Sequence, residues 1–188
     1  IRKEVGDEVK ARFELESLLH DIVLPRGTDP KHMPSFSSNN LWMFDERIYY
    51  FSHIGAYSDK KMSDIVSEGT DDRPDIVVFG DKADNDILRA VAIIEMKRPM
   101  RDDEDAVKQV YKYIDQMVNG QAKDLDGRPF NITKETMFHC YIVCDTHSES
   151  FRARMKMYGA TALFGGLGYV IWNGNYNSDI MVIDHLEL

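Results

Sequence analysis

Two apolar runs joined by a polar segment constrain the fold of this chain more than any other feature of its sequence. Residues 75–79 and 90–96 are rich in Val and Ile, whereas residues 80–89 between them are rich in Asp, Asn and Gly. β-Branched residues favour extended backbone, and Asp, Asn and Gly favour turns. The pattern therefore predicts two antiparallel strands that form a β-hairpin.

Helical and extended patterns alternate along the rest of the chain. Apolar residues recur at helical spacing over residues 7–24 and 106–120, and Thr146 with Glu149 has the spacing of a capping box that opens a basic helix. Residues 27–40 predict a loop, and residues 55–73 are weakly patterned. Further strands are predicted over residues 41–44, 48–52, 138–143, 169–172 and 179–186. This order predicts an α/β domain around a mixed sheet.

The size and composition of the chain favour one globular domain. With 188 residues, of which 43% are apolar, the chain is expected to form a single domain over residues 1–188. It begins at Ile1 rather than Met, so we expect a fragment of a longer protein. No apolar run reaches the ~18 residues needed to cross a bilayer, and we expect a cytoplasmic protein without a membrane partner. Cys140 and Cys144 lie too far apart along a strand to form a disulfide and are expected as reduced core residues.

The charge balance argues against a free-standing nucleic-acid-binding module. The chain has 32 acidic and 23 basic residues and a formal net charge of −9. Proteins that bind nucleic acids usually present a basic surface that neutralises phosphates. If this domain acts on nucleic acid, we expect another domain or subunit to supply that surface.

The predicted hairpin brings two acidic residues together. Residues at equal distance from a hairpin turn face each other, and Asp75 and Glu95 are equidistant from Asn85 in the middle of the polar segment. Side chains alternate along a strand, so Glu95 and Lys97 lie on one face of the sheet. This face is therefore expected to present Asp75, Glu95 and Lys97 together.

These three side chains predict a site for a hard divalent cation. Neighbouring carboxylates repel each other unless one binds a proton or a cation lies between them. Mg²⁺ or Mn²⁺ here would polarise a phosphoryl oxygen and acidify a water, which Lys97 would orient. The predicted reaction is hydrolysis of a phosphodiester bond, and Lys97 is expected to be an exposed group of the cleft that contributes little to folding. Taken alone, the three residues fit a surface ion pair at a strand end equally well.

The order of these residues resembles the PD-(D/E)xK nuclease superfamily, whose signature corresponds to Pro74-Asp75 and Glu95-Met96-Lys97. Gln109 and Tyr113, four residues apart on the next helix, resemble the Q-x-x-x-Y element of the RecB-like branch. Several segments resemble more closely a bacterial nuclease-like domain found at the C-terminus of histidine-kinase-like ATPase proteins, some of which are linked to phage defence. These segments are residues 16–20, 41–47, 73–75, 94–99 and 127–129.

The resemblance implies a restriction-endonuclease-like αβα sandwich with a central mixed sheet. It implies a nuclease that cleaves DNA with Mg²⁺ or Mn²⁺ as cofactor and acts in phage defence. The implied partners are DNA or RNA, an attached ATPase module and a second copy of the chain in a homodimer. The implied metal ligands are Asp75, Glu95, the backbone carbonyl of Met96, and Glu16.

The remaining site residues are assigned roles around Lys97, which would position the attacking water. Gln109 and Tyr113 would orient Lys97 or a substrate phosphate. Arg98 and Arg101, which follow Lys97 closely, and His20, one turn after Glu16, are candidates for contact with substrate phosphate.

Other interpretations of these residues stay open. Glu14 lies on the same helix as Glu16 and is the alternative metal ligand. Gln109 and Tyr113 also fit a polar pair beside the core, and His20 fits a structural histidine. Arg152, Arg154 and Lys156 fit either a solvated helix face or a contact to a nucleic-acid backbone. The alternative functions are a catalytically inactive nuclease fold, which serves dimerisation or couples an ATPase to effectors, and an RNA-directed nuclease.

Overall fold

The computed structural model describes residues 17–32, 40–51, 55–80, 87–98, 104–123 and 128–185. Helix α1 covers residues 17–23, and the other helices are α2 (Glu46–Phe51), α3 (Met62–Ile65), α4 (Ala106–Asn119) and α5 (Glu149–Met157). The strands are β1 (Gly55–Ser58), β2 (Ile76–Phe79), β3 (Ala90–Met96), β4 (Ala122–Lys123), β5 (Pro129–Phe130), β6 (Met137–Cys144), β7 (Thr161–Ala162), β8 (Gly168–Asn173) and β9 (Ser178–Asp184). Short 3₁₀ turns lie at Pro30–His32, Leu41–Met43 and Phe164–Gly166.

Seven strands form one mixed sheet in the order β1-β2-β3-β6-β9-β8-β7. The central strands β3, β6 and β9 are parallel, and the strands on either side pair antiparallel. Strands β4 and β5 form a separate two-stranded sheet. The protein is therefore an α/β fold around a mixed sheet, as predicted. The carboxyl ends of the three parallel strands lie at one edge of the sheet, where α/β proteins usually place their ligand sites.

Apolar side chains cover both faces of the central strands. Along β3, Val91 and Ile93 belong to a cluster that includes residues of α4 and α5. Ala92, Ile94 and Met96 belong to a second cluster, which includes residues of α1 and of the segment 41–48. Burial on both faces explains why β3 is a continuous apolar run rather than an alternating one. Because side chains alternate along a strand, Glu95 and Lys97 are on the same face as Ile93, which is the face covered by α4.

Strands β2 and β3 form the predicted hairpin. Their register pairs Ile76 with Ile94 and Phe79 with Val91. This is the register expected for a turn centred on Asn85, which itself lies outside the described residues. The prediction of the pairing from the symmetry of the polar segment is confirmed.

Helix α4 also lies where the sequence predicts it. The Asp105 side chain accepts a hydrogen bond from the Lys108 backbone N–H at 3.1 Å and caps the first turn, and the helix ends before Gly120. The predicted strand over residues 138–143 and the hairpin after residue 168 are confirmed as β6 and β8–β9.

The prediction of two strands over residues 41–44 and 48–52 is wrong. Leu41–Met43 is a 3₁₀ turn and Glu46–Phe51 is α2. The physical reason is Asp45, whose carboxylate accepts a hydrogen bond from the Arg47 backbone N–H at 2.8 Å and caps the helix. This local capping outweighs the preference of the aromatic residues for extended backbone.

The capping box predicted from Thr146 and Glu149 is wrong as well. Ser148 caps α5, because its hydroxyl accepts a hydrogen bond from the Phe151 backbone N–H at 3.1 Å. The Thr146 hydroxyl instead donates to Asp184 at 2.8 Å. Strand β1 and helix α3, four residues each, lie in the weakly patterned segment 55–73 and are too short to show a period.

Both cysteines lie on strand β6. Cys140 and Cys144 are buried and free, as predicted. Among the residues that the structure describes, no helix has the length and apolar character needed to cross a membrane.

Asp45 also links α2 to the sheet. Its carboxylate accepts hydrogen bonds from the Arg47 guanidinium at 2.8 Å and from the Tyr141 hydroxyl on β6 at 2.7 Å. Burial raises the pKa of Asp45, but the hydrogen bonds from Arg47 and Tyr141 outweigh it and lower the pKa to about 2. Since this lies below the ordinary value of 3.8, the ionised carboxylate stabilises the fold above about pH 4. That contribution is lost as the pH falls through the folded-state pKa.

We expect Tyr141→Phe to lower the free energy of unfolding at neutral pH by about 1–2 kcal/mol, because it removes a hydrogen bond to a charged group. Urea unfolding across a pH series measures the effect, and the difference from the unmodified protein should narrow as the pH falls from about 4 toward about 2. Tyr169→Phe is the control, because the Tyr169 ring contacts Phe151 while its hydroxyl has no hydrogen bond among the described residues. Equal losses in the two variants would contradict the role of Asp45.

Candidate active site

Two carboxylates meet where β2 begins and β3 ends. Continuing the β2–β3 register by one residue places Asp75 opposite Glu95. An oxygen of Asp75 accepts a hydrogen bond from the Met96 backbone N–H at 2.5 Å, which holds this side chain against the end of β3. Glu95 is buried, with 3% of its surface exposed. The hairpin register therefore brings the two predicted metal ligands together.

Lys97 lies on the same face as Glu95, under the N-terminal part of α4. Its ammonium donates hydrogen bonds to Glu95 at 2.8 Å, to Gln109 at 2.7 Å and to Glu104 at 3.0 Å. Only 8% of Lys97 is exposed. The expectation that Lys97 is an exposed group of the cleft is wrong, because α4 covers its side chain and three acceptors surround its ammonium.

Gln109 and Tyr113 connect Lys97 to the start of β2. The Tyr113 hydroxyl donates to the backbone carbonyl of Arg73 at 3.1 Å and accepts a hydrogen bond from the Gln109 amide at 2.5 Å. The side-chain nitrogen of Gln109 therefore points to Tyr113, and its side-chain oxygen points to Lys97. Gln109 and Tyr113, which are four residues apart on one helix face, therefore contact each other, and Gln109 also contacts Lys97.

A cleft of about 330 Å³ opens over these side chains. Its walls include Arg98, which was predicted to contact phosphate, and Arg73, which was not. The sequence signal for Arg73 is its position directly before Pro74-Asp75. Two guanidinium groups at the cleft provide local positive charge in a chain of net charge −9.

Burial and charge perturb the titration of the buried pair. Burial, and then the neighbouring Asp75, raise the pKa of Glu95 well above its ordinary range, and the Lys97 ammonium offsets only part of this. Burial lowers the pKa of Lys97, but Glu95 and Glu104 raise it by more, so Lys97 stays charged. The site therefore favours additional positive charge.

One oxygen of Glu95 lacks a partner, which tests whether the site fits a cation. Among the described residues, nothing donates a hydrogen bond to the buried Oε2 of Glu95. A buried carboxylate oxygen without a donor is costly unless it binds a proton or a cation. Asp75, Glu95 and the backbone carbonyl of Met96 offer the oxygen ligands that Mg²⁺ prefers. These residues fit a hard divalent cation.

Comparisons with protein-family models, with curated proteins and with solved structures found no match to this chain. A functional assignment therefore rests on the geometry of the cleft and on the residues quoted for the PD-(D/E)xK resemblance, which stays a hypothesis.

His20 lies behind the cleft rather than in it. The residue is 2% exposed, its Nε2 donates to the backbone carbonyl of Asp75 at 3.1 Å, and its Nδ1 accepts from the Arg26 guanidinium at 3.3 Å. The backbone N–H of Asp59 donates to the same Asp75 carbonyl at 2.9 Å. This placement favours the structural interpretation, in which His20 positions the start of β2, over contact with substrate phosphate.

Three of the residues considered for the site lie outside the part of the chain that the structure describes. These are Glu16, its alternative Glu14, and Arg101. Glu104, which contacts Lys97 at 3.0 Å, is not among the predicted site residues. Its signal in the sequence is an acidic residue between the E-x-K triplet and Gln109.

A second group of acidic and histidine side chains lies at the same edge of the sheet, after β6 and at the end of β9. Asp145, His147 and Asp184 have possible ligand atoms within 4.8 Å of one another, beside a cavity of about 400 Å³. Asp184 accepts two hydrogen bonds from Thr146, at 3.0 and 2.8 Å, and lies 3.6 Å from the His147 ring. The buried charge of Asp184 is thus satisfied within the protein.

Proposed function

We propose that this chain is a metal-dependent nuclease that hydrolyses phosphodiester bonds of DNA. The observation that carries the proposal is the buried Glu95 carboxylate, which lies opposite Asp75. One of its oxygens accepts a hydrogen bond from Lys97 at 2.8 Å, and the other has no hydrogen-bond partner among the described residues. Two carboxylates and an ammonium in a polar cleft support hydrolysis of a phosphate ester without a serine or cysteine nucleophile.

Asp75, Glu95 and the backbone carbonyl of Met96 would hold Mg²⁺ or Mn²⁺, and the resemblance adds Glu16. When bound, the ion supplies positive charge that stabilises the transition state and acidifies a water. The Met96 backbone N–H keeps Asp75 in place, and Lys97 keeps Glu95 in place. Glu95 lies on β3 and Asp75 directly before β2, and ligands fixed by paired strands are held more rigidly than ligands on loops.

Lys97 orients the attacking water as a hydrogen-bond donor. Its pKa is raised beside Glu95 and Glu104, so the ammonium stays protonated and does not act as a base. Gln109, fixed by Tyr113, restricts the ammonium to one position. A donor held in this way contributes through positioning and stabilisation of charge on the phosphate.

Arg73 and Arg98 bind substrate phosphates beside the scissile bond, together with Arg101. The planar guanidinium group pairs with phosphate through two hydrogen bonds. Because the chain has a net charge of −9, most of the affinity for DNA comes from another domain or subunit. The restriction-endonuclease-like fold, an attached ATPase module, a cytoplasmic location and a role in phage defence enter this proposal through the resemblance alone.

The proposal is tested by incubating the chain with supercoiled plasmid, linear duplex, single-stranded DNA and RNA, each with Mg²⁺, with Mn²⁺ and with a chelator. We expect cleavage of DNA that requires the metal and is lost in Lys97→Ala. Cleavage confined to RNA would replace DNA as the substrate. Mn²⁺ binding without cleavage of any substrate would favour the inactive module that serves dimerisation or ATPase coupling.

A further inference from the structure

We propose that Glu104 is a gate for the nuclease site. Its carboxylate accepts the Lys97 hydrogen bond that the reacting phosphate or water needs. When the substrate enters the cleft, it displaces the Glu104 carboxylate from Lys97. This inference rests on the proposed nuclease function and assigns a residue that restrains it.

The ammonium of Lys97 has no donor left for a substrate in the described arrangement. A lysine ammonium has three N–H donors and no acceptor. The Lys97 ammonium donates one hydrogen bond each to Gln109 at 2.7 Å, to Glu95 at 2.8 Å and to Glu104 at 3.0 Å. Since 8% of Lys97 is exposed, water has little access to it. One of the three contacts must break before Lys97 can orient a water or contact a phosphate.

The three acceptors differ in how firmly the fold holds them. Glu95 is buried in a central strand, and the Gln109 amide is fixed by the Tyr113 hydroxyl. The Glu104 backbone is held by a hydrogen bond from the Arg154 guanidinium to its carbonyl at 3.1 Å, whereas its side chain is 45% exposed and can turn toward solvent. Glu104 is also the acceptor at the longest distance from Lys97. The contact that yields is therefore the one between Lys97 and Glu104.

Charge makes the exchange selective. Glu104 lines the cleft beside Lys97, so an entering phosphodiester replaces one anion near the ammonium with another. The exchange gains little from Lys97 itself and must be driven by additional contacts, which Arg73 and Arg98 offer at the same cleft. A polynucleotide with several phosphates can supply those contacts, whereas free phosphate cannot.

The test compares Glu104→Ala and Glu104→Gln with the unmodified chain. Removing the competing carboxylate is expected to raise kcat/KM for a short DNA duplex about tenfold and to strengthen duplex binding measured by anisotropy with Ca²⁺ in place of Mg²⁺. Calorimetry with Mn²⁺ should show less than about a threefold change, because the gate is not a metal ligand. Glu104→Gln keeps the size of the side chain and an acceptor for Lys97 but removes the charge, so we expect a smaller gain in the same direction, and it serves if Glu104→Ala folds poorly.

Glu135→Ala is the matched control, because it removes the same charge from an exposed residue outside the cleft. An equal gain in this control would show that net charge, not the Lys97 contact, limits the reaction, and would overturn the gate. A fall in kcat in the Glu104 variants would make Glu104 a positioning residue for Lys97, and loss of Mn²⁺ affinity would make it a ligand; either result rejects the gate. If the unmodified chain neither binds Mn²⁺ nor cleaves DNA, the nuclease function itself fails, and the gate fails with it.

Discussion

Replacing Lys97 with Ala is expected to lower kcat for DNA cleavage by about 10³-fold, because a positioned donor at the reacting groups contributes about 10²–10⁴-fold. The variant also leaves the buried Glu95 and Gln109 without their shared partner. Breaking a buried ion pair costs about 3–5 kcal/mol, and we expect the lower end because Glu95, whose pKa is raised, can take up a proton. Cleavage kinetics and urea unfolding measure the two effects separately.

Two further variants separate chemistry from folding. Lys97→Met keeps an apolar stem of similar length and should retain more stability while losing the same activity. Lys61→Ala breaks a surface pair with Asp71, in which the two charged groups are 2.8 Å apart, and should leave turnover unchanged and stability within about 1 kcal/mol. Turnover by Lys97→Met equal to that of the unmodified chain would remove Lys97 from the reaction.

Asp75→Asn is expected to weaken Mn²⁺ binding by at least about 10²-fold, since outer partners of metal ligands alone are worth about 10–100-fold. The amide oxygen of Asn can still accept the hydrogen bond from the Met96 backbone N–H, so the end of β3 should keep its structure. The expected fall in Mn²⁺ affinity therefore comes from the missing negative charge of the ligand. Isothermal calorimetry with Mn²⁺ measures the affinity, and circular dichroism checks the fold.

The matched control for Asp75 is Asp71→Asn, which removes the same charge from an exposed residue of the preceding loop. Its Mn²⁺ affinity should change by less than about threefold. An Asp75→Asn variant that binds Mn²⁺ as tightly as this control would show that Asp75 is not a ligand, and the proposed nuclease site would lose its first carboxylate.

The pairing of Asp75 with Glu95 could be predicted because a hairpin is local. The turn lies between the two strands in the chain, so the symmetry of the apolar runs determines the register, and the register determines which side chains face each other. The same reasoning placed Glu95 and Lys97 on one face. These relations need no knowledge of the rest of the fold.

The segment around Asp45 could not be predicted in this way. Aromatic residues at positions 42–51 suggest strands, but the hydrogen bond from the Arg47 backbone N–H to Asp45 starts a helix, and Tyr141, almost a hundred residues later, stabilises the same carboxylate. A short polar segment between two apolar runs fits either outcome, and a distant contact contributes to the choice.

The α/β order, the central hairpin and the neighbouring carboxylates at its open end follow from the order of the amino acids, because each depends on periodicity and on contacts between adjacent strands. The burial of Lys97, the use of all three of its donors by Gln109, Glu95 and Glu104, and the position of His20 behind Asp75 depend on long-range packing. Burial and hydrogen-bond saturation depend on which helix packs over a strand, and that packing joins segments far apart in the chain, so no local pattern predicts them.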